Sequence, residues 1–98
     1  SAAGQAKALA AAQAAPQGDD LVKVGENMIG QGKAKEAIGV IQAGLKKPLK
    51  DSDNGQMRLG QAYLAAGQKA DAQKAFSAVK GTTKNAEVAK LWALVARR

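Results

Sequence analysis

"LGQAYLAAGQKADAQKAF", Leu59 to Phe76, is the stretch that decides how this chain folds. Met57, Gly60, Tyr63 and Leu64 recur at three and four residues, the spacing of one helix face. Ala72, Ala75, Phe76 and Val79 then form a second such stripe. Gly67 falls between the two, where a helix commonly ends on a left-handed residue. Gly60 is different, because it lies inside the first helix, where glycine costs about 1 kcal/mol relative to alanine. That cost is accounted for if another backbone passes close by, with Ala72 facing the gap and Tyr63 and Phe76 filling the space beside it. The stretch therefore predicts an antiparallel helix pair.

The same pattern occurs once more, 35 positions earlier. Gly25 pairs with Gly60, Gly32 with Gly67, Ala37 with Ala72 and Ala43 with Ala78. Residue type is kept at Val24 and Leu59, Met28 and Tyr63, Ile29 and Leu64, and Ile41 and Phe76. No gap is needed between the segments 21–45 and 56–80, which is the signature of a structural repeat. In the earlier copy Asp19 or Asp20 is the expected cap of a helix carrying Leu21, Val24, Met28 and Ile29. Gly32 ends that helix, Ala37, Ile38, Ile41 and Leu45 mark its partner, and Pro48 prevents continuation. In the later copy Asp53 is the expected cap and Gly81 the expected end.

Composition agrees with an all-α chain. Of 98 residues, 46% are hydrophobic but only 3% aromatic. Much of the apolar share is alanine, a strong helix former that lets helices approach closely. A chain this short buries only about 60–65% of its unfolded surface, so every packed face matters. There is no Cys and no His, which removes disulfides, thiolate and imidazole chemistry and the common zinc sites. The carboxylates cluster only at Asp19–Asp20 and Asp51–Asp53, where helix capping explains them better than metal binding or acid–base catalysis. "TTKNAE", Thr82 to Glu87, has the character of a loop leading into a helix and lacks phosphate-loop spacing. No catalytic residue, cofactor site or metal site is expected, and no apolar run approaches the roughly 20 residues of a membrane span.

The landmarks Leu59-Gly60, Tyr63, Gly67, Ala72 and Phe76 resemble those of the tetratricopeptide repeat family, whose unit is about 34 residues. Val24-Gly25, Met28, Gly32, Ala37 and Ile41 are a weaker copy, with Pro48 near the family's closing proline. The chain departs from the pattern at Leu21 and Gln56, where the family has an early Trp, and at "GTTKN", which lacks the proline. The resemblance implies a right-handed α-solenoid of antiparallel pairs, about five or six helices in one domain over 1–98. Within it, 2–15 would be the second half of a preceding unit, 19–47 and 53–80 two full units, and 85–98 a closing helix. In that last helix Val88, Leu91, Trp92 and Val95 form the stripe expected to pack on the second unit.

By resemblance, the first helices of such pairs line a concave face that binds a peptide or a partner protein. Val22, Glu26, Ile29, Asn54, Met57, Gln61, Leu64 and Trp92 occupy the corresponding positions. Apart from Glu26 they are apolar or neutral. The Lys, Asn and Arg clamp that some members use on a chain-terminal carboxylate is missing, so an amphipathic helix or extended apolar segment is the expected ligand. The formal charge of +7 raises an alternative, a domain that binds nucleic acid or an anionic surface. Its densest cluster, Lys46, Lys47 and Lys50, has no aromatic or Arg-rich interleaving, so it is expected to be solvated, and no specific nucleic acid is expected. Self-association through the end helices is a further expectation. Resemblance to Ala-, Lys- and Gly-rich bacterial repeat proteins points to an envelope-side location, with the cytoplasm as the alternative.

Overall fold

Small residues at helical spacing become six helices in a computed structural model that describes residues 1–81 and 84–98. They are α1 (Ala2–Ala14), α2 (Asp19–Gly30), α3 (Ala34–Leu45), α4 (Ser52–Ala65), α5 (Lys69–Ser77) and α6 (Lys84–Ala96). Among the described residues all regular structure is α-helical. Gly32 and Gly67 are the positive-φ glycines, at 79° and 80°, and each ends a helix as the spacing predicts. Both turns close with the same bond. The Lys33 amide donates to the Met28 carbonyl at 2.9 Å and the Gln68 amide to the Tyr63 carbonyl at 2.8 Å, which satisfies carbonyls that a helix end leaves open.

The interior glycines mark close approaches, though not quite the expected ones. A Cβ at Gly25 would sit 2.9 Å from Ile41 Cδ1, and one at Gly60 would sit 2.8 Å from Phe76 Cζ. The large side chain lies directly over the glycine. Ala37 and Ala72, each fully buried, flank the joint one turn away. A helix pair that seats a large residue on a missing Cβ gains packing density that an alanine would block.

The expected caps are corrected. Asp51, not Asp53, caps α4, accepting from the Asn54 amide at 2.9 Å. Gly18 occupies the cap position of α2, without a side-chain bond. Asp19 and Asp53 are used for a different purpose. The Asp19 carboxylate accepts the Lys50 and Asp51 amides at 2.9 and 3.1 Å, and Asp53 accepts the Lys80 amide at 3.0 Å. Each carboxylate therefore stands in the first turn of one helix and ties down the segment that follows the next. The aligned backbone dipoles of those first turns favour the negative charge there.

Two apolar clusters fill the fold. The first centres on Val22, Ala37, Ile41, Leu59 and Ala62, the second on Met57, Ala72, Phe76, Ala89 and Ala96. Tyr63 packs against both, and its hydroxyl accepts from Gln42 Nε2 at 2.9 Å. Helices adjacent in sequence pack on one another from α1 to α6; α2 also touches α4, and α4 touches α6. The Cα radius of gyration is 12.9 Å, close to the roughly 12.6 Å of a compact chain of this length.

Two expectations fail towards the C-terminal end. Helix α5 stops at Ser77, well before Gly81, although Val79 still packs in the second cluster. Of the loop expected over Thr82–Glu87, Thr82 and Thr83 lie outside the described residues, and Lys84 to Glu87 are already helical. The buried stripe of α6 is Val88, Ala89, Trp92, Ala93 and Ala96. Leu91 and Val95, expected in that stripe, face outward at 64% and 42% exposure.

Candidate functional site

Helices α2, α4 and α6 lie side by side, and the eight residues expected on a shared face divide into three groups. Val22 and Met57 are buried core residues, exposed by only 2% and 5%, so neither presents a surface to a ligand. Their place in the stripe is the face's inner edge, where apolar side chains turn towards the neighbouring helix. Ile29, Leu64 and Trp92 are half-buried, each with one side packed in a cluster and the other open. The Trp92 ring stacks on Phe76, with centroids 6.4 Å apart and planes 25° from parallel. Glu26, Asn54 and Gln61 are half-exposed polar residues.

Glu26 and Gln61 are joined by a residue that sequence reasoning missed. Arg58 on α4 places Nη2 3.3 Å from the Glu26 carboxylate on α2, while Nη1 donates to Gln61 Oε1 at 2.9 Å. Lys23 flanks the same carboxylate at 3.9 Å. Arg58 Nε is buried and has no hydrogen-bond partner. The guanidinium thus spans the α2–α4 junction, cancels the charge of Glu26 and leaves one donor unused. The sequence held a weak signal for it: an arginine one residue after Met57, among neutral neighbours, opposite an isolated glutamate. The face that results is close to neutral, with an apolar floor and amide groups.

Clefts occur elsewhere as well. One of about 620 Å³ opens between the end of α5 and α6, lined by Phe76, Val79, Lys80, Glu87 and Lys90 among others. A smaller one of about 70 Å³ lies between α1 and α2, beside Gln5, Val24 and Met28. The α2–α4–α6 face contributes to neither.

The basic cluster also changes character. Lys47, expected to be solvated, reaches back to α1 and donates through Nζ to the carbonyls of Gln13 and Ala15 at 2.5 and 2.7 Å. It closes the C-terminal end of that helix, where a cation is favoured. Lys50 contributes its backbone amide to Asp19, which holds that carboxyl below its ordinary value near 3.8. The Asp51 amide and the Lys50 charge act in the same direction, and partial desolvation opposes them. The segment that looked like an anion-binding patch is therefore occupied in holding α1 and α2 to the loop after α3.

Comparison with family models, with curated proteins and with solved structures returns no match for this chain. No helix among the described residues is long and apolar enough to cross a membrane.

Proposed function

We propose that the chain is a tetratricopeptide-like stack that binds a peptide or partner-protein segment along the face of α2, α4 and α6. In this reading 19–47 and 53–80 are two units, α1 is the second half of a preceding one and α6 the first half of a following one. The observation that carries the proposal is the order of contacts: α2 touches α4 and α4 touches α6, whereas α3 and α5 do not meet. First helices side by side with second helices splayed apart make one broad face. The repeated Gly32 and Gly67 closures and the repeated Gly25 and Gly60 joints support the same reading.

The ligand that fits is an apolar segment with a regular backbone. Ile29, Leu64 and Trp92 offer apolar contact, and the Asn54 and Gln61 amides offer hydrogen bonds to a main chain. A strongly charged ligand finds no uncompensated opposite charge there, since Arg58 is already paired with Glu26. Selection of peptides from a random display library on the wild-type chain tests the proposal. Asn54→Arg with Gln61→Arg should abolish recovery of the selected peptides, and Ala43→Arg, exposed on α3, should leave it intact. Equal recovery by both variants would place the binding surface elsewhere.

The charge-driven alternative, binding to nucleic acid, has less support because Lys47 and the Lys50 amide are engaged within the fold. Binding to random oligonucleotides that weakens steeply with salt would favour it instead.

A further inference from the structure

Two cations at the junction of α2 and α4 share one carboxylate. Lys23 Nζ lies 3.9 Å from one oxygen of Glu26, and Arg58 Nη2 lies 3.3 Å from the other. Among the described residues neither cation has a second carboxylate partner, so the group carries one positive charge in excess. Arg58 is also short of acceptors. A guanidinium is rich in donors and accepts nothing. Here Nη1 donates to Gln61 Oε1 at 2.9 Å, while the buried Nε has no partner. Of the two cationic side chains, 27% of Arg58 and 67% of Lys23 remain exposed, so both can be reached from outside. What the arrangement lacks is a second carboxylate.

Apolar contact is offered on one side of that place and not on the other. Ile29 follows Glu26 by three residues and Leu64 follows Gln61 by three, about 4.5 Å further along each helix. Each is half-buried, packed in a cluster on one side and open on the other. In the opposite direction stand Val22 and Met57, which are buried in the core and offer nothing to a ligand. A segment lying here therefore meets charge first and an apolar step one turn later.

We infer, on the footing that α2, α4 and α6 form the ligand face, that the ligand carries an acidic side chain one helical turn from an apolar one, and that its carboxylate takes Arg58 in exchange for Glu26. Glu26 then keeps Lys23 as its counterion, so two cations that shared one carboxylate have one each. The apolar neighbour of the acid covers Ile29 and Leu64. Hydrogen bonds between a guanidinium and a carboxylate are stronger than neutral ones, so the exchange favours an acid over an amide or a hydroxyl at that place. A run of acids is disfavoured, because the next carboxylate would meet Glu26 with no further cation to offset it.

Peptides selected from the random library on the wild-type chain are the probes, remade synthetically and titrated by fluorescence anisotropy. They should share one Asp or Glu, with an apolar residue about three or four positions away. Changing that acid to its amide should weaken binding to wild type by about tenfold or more, the scale of one charge-assisted hydrogen bond. Arg58→Gln should weaken the acidic peptide by a similar factor and leave the amide peptide nearly unaffected, the non-additivity that marks a direct contact. Glu26→Gln, which removes the competing carboxylate, should tighten the acidic peptide, and it gives a second reading should Arg58→Gln fail to fold. Melting curves check each variant. Face-bound peptides with no shared acid, an acid whose amide binds equally well, or looser binding by Glu26→Gln would overturn the exchange and leave the ligand face standing. If no peptide is recovered that Asn54→Arg with Gln61→Arg abolishes, the face and the exchange both fall.

Discussion

The pairs α2–α3 and α4–α5 solve one packing problem with different side chains. Both end their first helix on a left-handed glycine and both seat a large residue on an interior glycine. In the first pair the seated residue is Ile41, whose aliphatic branches merge into a cluster of Val22, Leu59 and Ala62. In the second it is Phe76, a flat ring that fills the glycine notch on one side and stacks on Trp92 on the other. The difference lies in what each pair must hold. Ile41 completes a pair followed by another complete pair, whereas Phe76 also anchors the lone helix α6. The second joint is therefore the more demanding, and its failure should release α6 as well.

Overfilling or emptying that joint is the most severe way to break the comparison. Gly60→Leu should cost more than the ordinary 0.5–3 kcal/mol of a point substitution, because the ring of Phe76 already occupies the space. Phe76→Ala should cost about 3–5 kcal/mol through the cavity it leaves, enough to unfold a domain of marginal stability. Trp92 fluorescence and far-ultraviolet dichroism, followed together during thermal unfolding, read both effects. A Gly60→Leu variant that melts with the wild type would mean that Phe76 does not sit over Gly60. Ile41→Val should cost only about 0.5–1.5 kcal/mol, which sets the scale for the first pair.

Much of this was legible in the sequence, for local reasons. The two left-handed stops, the helix pairs and the close approach at Gly25 and Gly60 follow from residue types whose conformational limits are strict. What the sequence did not give was anything set by three-dimensional partners. Asp19 and Asp53 have the composition of caps, yet their carboxylates reach backbone amides about thirty residues away. The α6 stripe was half right: Val88 and Trp92 pack as expected, but contact with α4 and α5 turns the buried side towards Ala89, Ala93 and Ala96 and leaves Leu91 and Val95 outside it. On the candidate face, Val22 and Met57 belong to the core, as apolar residues on a helix stripe more often do, and only the placing of the neighbouring helix decides it. Arg58 left only a weak signal because its role depends on Glu26 of another helix.

Arg58 also differentiates the pairs, since the corresponding residue of the first is the exposed Lys23. Glu26→Arg would remove its ion-pair partner and put a like charge beside a guanidinium whose Nε already has none. Both side chains are about 30% exposed, so water screens the effect, and a loss of about 1 kcal/mol is expected. Urea unfolding at low salt should show it, and the loss should shrink as salt is raised. An unchanged midpoint at low salt would mean that Arg58 contributes to the face but not to its stability.

The smallest expected effect separates the two carboxylate ties. Asp19 accepts two backbone amides and has its carboxyl held low, chiefly by the Lys50 amide, while Asp53 accepts one from Lys80. A group whose folded value lies below its unfolded one stabilises the fold above the unfolded value, and that contribution disappears as pH falls through the folded one. For Asp19 the stabilisation is thus in place above the ordinary value near 3.8 and is lost on further acidification. Asp19→Asn should melt below wild type at neutral pH, and the gap should close as pH is lowered through and below the ordinary value near 3.8, as the wild-type carboxylate is neutralised as well. Melting curves of both proteins across that range check it. A gap that stays constant with pH would show that asparagine disturbs the loop by its shape, and that the charge at Asp19 does not hold Lys50 and Asp51 in place.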